Sequence, residues 1–244
     1  MRLNGKVALV TGGARRVGRA IALALAGRGT HVAISYRTSR ADAEATVREL
    51  RGRSVQALAI RADVSRAADV KRLVAQTVKR LGRLDVLINN AAVFYKTPWA
   101  TLTERQWNHT IDTNLKGPFL CALAAGRAMQ RQGGGKIINI ADWAGIRPYN
   151  DYLPYCVSKA GVIALTKTLA KALAPKVQVT AIGPGPVAMP EDFSAEERAR
   201  IIKRVPLQRT GSPADIANTV LFLIEGTDFM TGSLVLVDGG QLIA

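Results

Sequence analysis

The chain has 244 residues, of which 48% are hydrophobic, so it is long enough for one α/β domain with a large core. It has no apolar run of the roughly 18 residues that predict a membrane span. Its two cysteines, Cys121 and Cys156, lie in no metal-type cluster, which argues against a zinc site. The low cysteine count favours a reducing cytoplasm. The formal charge of +16 comes from arginines spread along the chain, which favours attraction of anionic ligands over nucleic-acid recognition.

Short apolar runs alternate with helical stretches from the first residues onward, and the direct start of a strand pattern predicts no signal peptide. The predicted strands are 6–10, 30–35, 55–60, 85–88, 136–140, 177–182 and 233–237. The predicted helices are 16–27, 40–51, 66–81, 103–132, 153–174 and 213–225. This alternation predicts a single doubly wound Rossmann α/β domain over residues 1–244, with a mostly parallel seven-stranded sheet and ligands at the carboxyl ends of its strands.

A glycine-rich turn, residues 11–18, lies between the first predicted strand and the first predicted helix. Glycines at such a place permit a tight turn and let backbone amides approach a pyrophosphate at the helix N-terminus. The position of the turn therefore predicts a dinucleotide cofactor. The turn residues predicted to bind it are Gly12, Arg15, Arg16, Val17 and Gly18.

The end of the second predicted strand lacks the carboxylate that would bind the ribose 2′-hydroxyl of NAD. Tyr36, Arg37, Thr38 and Ser39 stand there instead, and the first acid is Asp42. A guanidinium pairs with phosphate in a fork geometry, and hydroxyl groups suit phosphate oxygens. The sequence therefore predicts NADPH, with Arg37 and Ser39 at the 2′-phosphate. A solvated loop arginine is the alternative.

The next two strand ends and one helix carry further candidate residues. Asp63, beside Val64, can accept a hydrogen bond from the adenine amine, or can be the N-cap of the helix that follows. Asn90 and Ala91 follow the fourth strand, where a small side chain lets the backbone approach the cofactor. Asn114 lies inside a predicted helix, which asparagine does not favour, so we expect it to bind backbone or water near the site.

Tyr155 and Lys159 are four residues apart in a predicted helix, so their phenol and ammonium can point into one site. The lysine charge is predicted to lower the pKa of Tyr155 from an ordinary value of ~10 and to make it a proton donor. Asp142, thirteen residues earlier, can accept as a carboxylate or donate as a neutral acid, and we expect it to deliver the proton together with Tyr155. Its alternative role is the N-cap of a short turn.

Together these residues resemble the short-chain dehydrogenase/reductase family, over essentially the whole chain. The resemblance implies that Tyr155 donates a proton, that Lys159 holds the nicotinamide ribose, and that Asn114 supports a water relay. It also implies a homotetramer. The further cofactor contacts that it implies are Tyr155, Lys159, Pro184, Gly185 and Val187.

Two positions depart from the common pattern of that family, namely Arg16 in place of a glycine and Asp142 in place of a serine. Both departures resemble pteridine reductases and the bacterial dihydromonapterin/dihydrofolate reductases. Phe94 stands where that branch stacks a pterin against the nicotinamide, whereas Ala92 replaces a serine that contacts the pterin. The predicted substrate-binding residues are Arg16, Ala92, Phe94, Asp142 and Tyr155.

The sequence therefore predicts an NADPH-dependent reductase of a pteridine, of the dihydropterin, dihydromonapterin or dihydrofolate type, with no nucleic-acid or membrane partner. The first alternative is an NADPH-dependent reductase of 3-oxoacyl thioesters or other carbonyl compounds. The second is a non-catalytic NADPH-binding regulator. The irregular segment 183–204 follows a strand and is predicted to form a substrate lid, or otherwise a surface excursion.

Overall fold

A computed structural model describes residues 1–187, 189 and 193–244. Its strands are β1 (Val7–Val10), β2 (His31–Tyr36), β3 (Ala57–Arg61), β4 (Val86–Asn89), β5 (Gly135–Ile140), β6 (Val177–Pro184) and β7 (Leu234–Val237). They form one seven-stranded sheet in the order β3-β2-β1-β4-β5-β6-β7. The prediction of a doubly wound domain is confirmed, and each of these strand pairings is parallel.

The helices lie close to the predicted helical ranges, apart from α7, which lies in the predicted lid segment. They are α1 (Arg16–Ala26), α2 (Arg40–Arg51), α3 (Ala67–Leu81), α4 (Glu104–Ile111), α5 (Gly117–Arg131), α6 (Leu153–Leu173), α7 (Ala195–Lys203) and α8 (Pro213–Leu221). A π-helical turn, Asp112–Lys116, interrupts the predicted helix 103–132, and another, Phe222–Gly226, follows α8. In the described ranges, no helix is both long and apolar enough to cross a membrane.

Helices cover both faces of the sheet, and alternate residues of β1 show the division. Ala8 and Val10 belong to the core beneath α1, α2 and α8, whereas Leu9 belongs to the core beneath α3 and α5. All three side chains are fully buried. Burial of a leucine side chain stabilises the fold by about 1.5–3 kcal/mol. Because both faces of such a strand are buried, consecutive residues are all apolar and the strand appears in the sequence as a continuous apolar run.

The strand order reverses between β1 and β4, and a crevice opens between the loops that follow these strands. Thr11 joins the two sides of this crevice. Its hydroxyl donates to the Ile88 carbonyl oxygen at 3.2 Å. The Thr11 hydroxyl oxygen also accepts from the Asn90 backbone amide at 2.9 Å and from the Ala91 backbone amide at 3.1 Å. This buried hydroxyl therefore sets the spacing between the glycine-rich turn and the segment after β4.

We expect Thr11→Val to lower the free energy of unfolding by about 1–3 kcal/mol, because it leaves two backbone N–H groups without their acceptor. Thr11→Ser is the matched control, since it keeps the hydroxyl and loses one methyl group, at a cost of about 0.8 kcal/mol. Urea denaturation of the three proteins measures the difference. A valine variant as stable as the serine variant would contradict this role of the hydroxyl.

Candidate active site

A cleft of about 1360 Å³ runs along the carboxyl ends of the strands. It is bounded by the glycine-rich turn, the ends of β2 to β6, and one face of α7. Every sequence-predicted site residue except Asn114 lines it. Those residues are Gly12, Arg15, Arg16, Val17, Gly18, Tyr36, Arg37, Thr38, Ser39, Asp63, Val64, Asn90, Ala91, Ala92, Phe94, Asp142, Tyr155, Lys159, Pro184, Gly185 and Val187.

The turn after β1 has the backbone geometry that a phosphate site needs. Gly12 adopts a left-handed φ of 63°, which favours glycine. A Cβ on Gly18 would lie 2.4 Å from the Gly12 carbonyl oxygen, so this position admits no side chain without a shift of the backbone. Arg16 also has a positive φ, 51°, at the start of α1. The turn therefore presents backbone and arginine side chains to the cleft.

The end of β2 is basic on the cleft side, as the sequence predicts. Arg37 is exposed and lines the cleft together with Ser39. Its carbonyl oxygen accepts from Arg61 Nε at 3.3 Å, which fixes the backbone at this point. Asp42 is outside the cleft lining and forms an exposed ion pair with Arg15 at 3.6 Å. A 2′-phosphate at this strand end would therefore meet a guanidinium and not a carboxylate.

The N-cap alternative for Asp63 is wrong. Its carboxylate accepts from the backbone amide of Ser65 at 3.0 Å and from the Ser65 hydroxyl at 2.7 Å, which closes a turn ahead of α3. The N-cap residue of α3 is Arg66. The adenine contact of Asp63 stays a prediction, with the residue placed at the cleft wall.

Asn114 occupies the π-helical turn between α4 and α5 and is buried. Its side-chain amide donates to the Val93 carbonyl oxygen at 2.9 Å, and its Oδ1 accepts from the Val93 amide at 2.8 Å. This pair of bonds holds the segment that carries Phe94. The expected backbone-binding role of Asn114 is thus visible, whereas its part in a water relay stays a prediction.

Tyr155 and Asp142 are in direct contact. The Tyr155 hydroxyl donates to Asp142 Oδ2 at 2.7 Å. Asp142 Oδ1 also accepts from the Ala144 amide at 2.8 Å, and Asp142 is the N-cap of the short 3₁₀ turn Trp143–Gly145. The capping alternative and the contact with Tyr155 therefore hold together, one through each carboxylate oxygen.

Tyr149 is a site residue that the sequence analysis missed. Its hydroxyl donates to Asp142 Oδ1 at 3.2 Å, so two phenols share one carboxyl group. Its ring packs edge-on against Trp143, with 5.2 Å between the ring centroids. The only available signal was a run of tyrosines three residues apart, at 149, 152 and 155, which has no meaning before the loop is folded.

Phe94 completes an aromatic wall beside Tyr155. Its ring stacks on Tyr152 with 4.5 Å between centroids and an interplanar angle of 12°. It meets the Tyr155 ring edge-on at 4.7 Å. Phe94 is 39% exposed and lines the cleft, so part of this residue is available to a ligand beside the proton donor.

The predicted lowering of the Tyr155 pKa is wrong for this structure. Burial raises the pKa of Tyr155 well above its ordinary value, and the charge of Asp142 raises it further. Burial also raises the pKa of Asp142, although its hydrogen bonds and Lys159 act in the opposite direction. The Lys159 ammonium donates to the Ile140 carbonyl oxygen at 2.8 Å, and burial lowers its pKa to about 8.

The predicted lid, residues 183–204, is described in part. Residues 188 and 190–192 lie outside the described residues. The remainder includes α7, whose capping box at Ser194 and Glu197 fixes the start of the helix. Phe193, Glu197 and Ile201 line the cleft, so α7 covers the side of the cleft that the prediction assigns to the substrate. Movement of this segment stays a prediction.

Comparison with known proteins gives matches over nearly the full length of the chain. The family model described as enoyl-(acyl carrier protein) reductase matches residues 12–241. The chain is 41% identical over 240 residues to a 3-oxoacyl-[acyl-carrier-protein] reductase of Staphylococcus aureus, covering 97% of this chain and 98% of the relative. It is 40% identical over 248 residues to the protein of that name from Synechocystis sp., with 99% and 98% covered.

Solved structures also match the fold of nearly the whole chain. A short-chain type dehydrogenase/reductase from Mycobacterium marinum has a TM-score of 0.93 and 34% identity, covering 98% of this chain and 96% of that chain. A blue fluorescent protein from a metagenomic library, solved in complex with NADPH, has a TM-score of 0.91 and 33% identity, with 99% of each chain covered.

A phenol and an ammonium at one end of the cleft, and a glycine-rich turn at the other, define an oxidoreductase that works with a dinucleotide. Because the family model and the relatives match nearly the whole chain, the protein belongs to the short-chain dehydrogenase/reductase family, as the resemblance implied. The finer prediction of a pteridine reductase is not confirmed. The relatives are named for 3-oxoacyl-[acyl-carrier-protein] reduction, which matches the thioester alternative better.

We expect Arg37→Ala to reduce the preference for NADPH over NADH at least threefold, because a charged hydrogen bond to phosphate contributes about 1.5–3 kcal/mol when it is well formed. The measurement is kcat/KM for each cofactor. Arg40→Ala is the control, since Arg40 pairs with Glu44 at 2.7 Å and is outside the cleft lining. An unchanged preference in Arg37→Ala would contradict the assignment of the phosphate site.

The Tyr149 hydroxyl donates to Asp142 and so stabilises its ionised form. We therefore expect Tyr149→Phe, which removes this hydrogen bond, to raise the pKa of Asp142. A carbon-13 NMR titration of the Asp142 carboxyl measures this directly. Tyr95→Phe is the control, because the Tyr95 hydroxyl binds Gln106 and Thr110 and is outside the cleft lining. A pKa that is unchanged or lower in Tyr149→Phe would show that the second phenol does not act on Asp142.

Proposed function

We propose that this protein is an NADPH-dependent reductase of a carbonyl group, with 3-oxoacyl thioesters as the substrate class. The observation that carries the chemistry is the Tyr155 hydroxyl, held at 2.7 Å by Asp142 in a cleft that Lys159 also lines. The substrate class is supported by two relatives, at 41% and 40% identity, that are named for that reaction. Neither relative fixes the length of the acyl chain.

The residues at the other end of the cleft fit NADPH. A Cβ on Gly18 would lie 2.4 Å from the Gly12 carbonyl oxygen, so the tight turn at the helix N-terminus, where a pyrophosphate is expected, needs glycine at this position. Arg37, Thr38 and Ser39 line the cleft at the end of β2, where a 2′-phosphate is expected. A similar structure contains NADPH. Bound in this way, NADPH supplies the hydride for reduction of the carbonyl carbon.

Proton delivery is assigned to Tyr155. Its raised pKa keeps the phenol protonated at neutral pH, so the proton is available for the carbonyl oxygen as that oxygen gains negative charge. Lys159 lies 5.6 Å from the centroid of the Tyr155 ring, and its ammonium offsets the charge left on the phenolate. The carbon gains the hydride, the oxygen gains the proton, and the product is a hydroxyl group.

Asp142 takes the place of a hydroxyl donor in this proposal. A carboxylate would repel a carbonyl oxygen, whereas a neutral carboxylic acid donates a hydrogen bond to it. Burial raises the pKa of Asp142, which favours the neutral form. When a carbonyl oxygen enters the site, the Tyr155 hydroxyl would turn to it from Asp142 Oδ2, and the neutral acid would donate to the same oxygen.

Pteridine reduction is the second candidate, and two observations favour it. An ionised Asp142 would accept from the ring N–H or amino group of a pterin, which a serine hydroxyl does less strongly. The exposed part of Phe94 is suited to contact with a flat ring, and aromatic stacking is worth about 0.5–1.5 kcal/mol beyond burial. The two candidates therefore differ in the protonation state that they require of Asp142.

The homotetramer implied by the family resemblance is part of the same proposal. Phe119 and Leu123, one turn apart on α5, are 43% and 38% exposed, which supports a contact between subunits on this face. The substrate itself is proposed to be a small molecule or the acyl group of a carrier.

A substrate panel tests the proposed function. We expect purified protein to oxidise NADPH with an acetoacetyl thioester, and Tyr155→Phe to lose at least about 100-fold of that turnover, since general acid catalysis contributes about 10²–10⁴-fold. Dihydrobiopterin, dihydromonapterin and dihydrofolate are offered in parallel. Turnover of a pterin alone would overturn the thioester assignment in favour of the second candidate. No turnover of any of these substrates would contradict both.

A further inference from the structure

The α7 helix turns one charged face toward the cleft. Glu197, Arg200, Ile201 and Arg204 line the cleft, and their spacing of three and four residues places them on one side of the helix. Lys203 has the same charge at the same end of the helix but is outside the cleft lining. The basic residues of this helix are therefore divided between the cleft and the outer surface.

The acidic member of the cleft-facing set is already paired. Glu197 accepts from Lys96 at 3.4 Å, and the same ammonium lies 5.9 Å from the centroid of the Phe193 ring. Lys96 thus offsets the charge of Glu197. The charge that α7 adds to the cleft is then that of Arg200 and Arg204.

A further arginine of the cleft lining, Arg147, is on the loop that carries Asp142 and is exposed. Its Nη1 donates to the main-chain oxygen of Ala244, so this guanidinium already has a partner within the protein. The guanidinium groups that the α7 side of the cleft offers to a ligand are therefore those of Arg200 and Arg204.

The helix dipole accounts for part of this pattern. Cations in the last turn of a helix are favoured, and this explains Arg200 and Lys203 equally well. It does not explain why Arg200 and Arg204 line the cleft while Lys203 does not. A cleft wall with two guanidinium groups attracts anions through both charge and hydrogen bonding.

We propose that Arg200 and Arg204 bind an anionic group on the part of the substrate remote from the reacting atom. The group is a phosphate or a carboxylate, because both accept the paired N–H donors of a guanidinium. This inference rests on the proposed function only in taking the cleft to be the site of a small-molecule reductase. Such an anion site would bind substrates with a charged tail more tightly than neutral analogues that have the same reacting group.

Matched substrate pairs test the proposal. Acetoacetyl-coenzyme A carries phosphates, whereas acetoacetyl-N-acetylcysteamine has the same reacting group without them. Dihydrofolate carries carboxylates that dihydrobiopterin lacks. We expect the double variant Arg200→Ala/Arg204→Ala to raise KM at least about fivefold for the charged member of the active pair, since each exposed charge contact contributes modestly. KM for the neutral member should change less than about twofold, and kcat should be preserved.

Lys203→Ala is the matched control and should leave both KM values unchanged. An equal rise of KM for both members of the pair, or an equal effect of Lys203→Ala, would overturn the proposal. Added salt should reduce the advantage of the charged substrate in the wild-type protein.

A binding experiment separates this proposal from the proposed function. If no substrate is reduced, the proposed function fails, and titration of free coenzyme A and of folate into protein saturated with NADPH still tests the anion site. Binding that weakens at least about fivefold in the double variant and not in Lys203→Ala supports the site. Absence of binding, or equal binding to all variants, overturns it.

Discussion

The carboxyl group of Asp142 is the group on which the chemistry of this site depends, because it accepts hydrogen bonds from Tyr155, Tyr149 and the Ala144 amide. Withdrawal of a carboxyl group from water is costly unless such donors replace the lost hydration. The aromatic rings around it remove water, and the three donors compensate. The same contacts hold the Tyr155 proton in place, so the acid and the proton donor behave as one coupled group.

The fold brings this coupled group together through β5 and α6. β5 ends at Ile140, two residues before Asp142, and the carbonyl oxygen of Ile140 accepts from Lys159 on α6. α6 begins at Leu153, so Tyr155 lies in its first turn and Lys159 one turn later. Backbone elements thus set the distances between the groups, while the identity of residue 142 sets which hydrogen bonds they offer to a substrate.

The sequence predicts the sheet and the Tyr155–Lys159 pair for simple physical reasons. Strands such as β1 and β4 are buried on both faces and therefore read as apolar runs. Residues four apart share a helix face, which is a local property. Both features need no knowledge of distant parts of the chain.

The features that the sequence does not reveal depend on contacts between distant or irregular segments. Tyr149 lies in a loop, and no periodicity records that its hydroxyl meets Asp142. The direction of the Tyr155 pKa is wrong when it is read from the chain alone, because the chain shows a lysine four residues away but neither the burial nor the carboxylate oxygen at 2.7 Å. The split role of Asp142 as cap and hydrogen-bond partner is hidden for the same reason.

The role of Asp142 is tested by the pH dependence of acetoacetyl-thioester reduction by the wild-type protein and by Asp142→Ser. We expect wild-type activity to fall as pH rises through the pKa of Asp142, which burial raises, because the ionised group no longer donates to the carbonyl oxygen. The serine variant should lack this fall. A loss as Lys159 gives up its proton should appear in both proteins, near the Lys159 pKa of about 8 in the wild type and at lower pH in the serine variant, because the charge of Asp142 raises the pKa of Lys159. Identical pH profiles would contradict the role of Asp142 as a neutral donor.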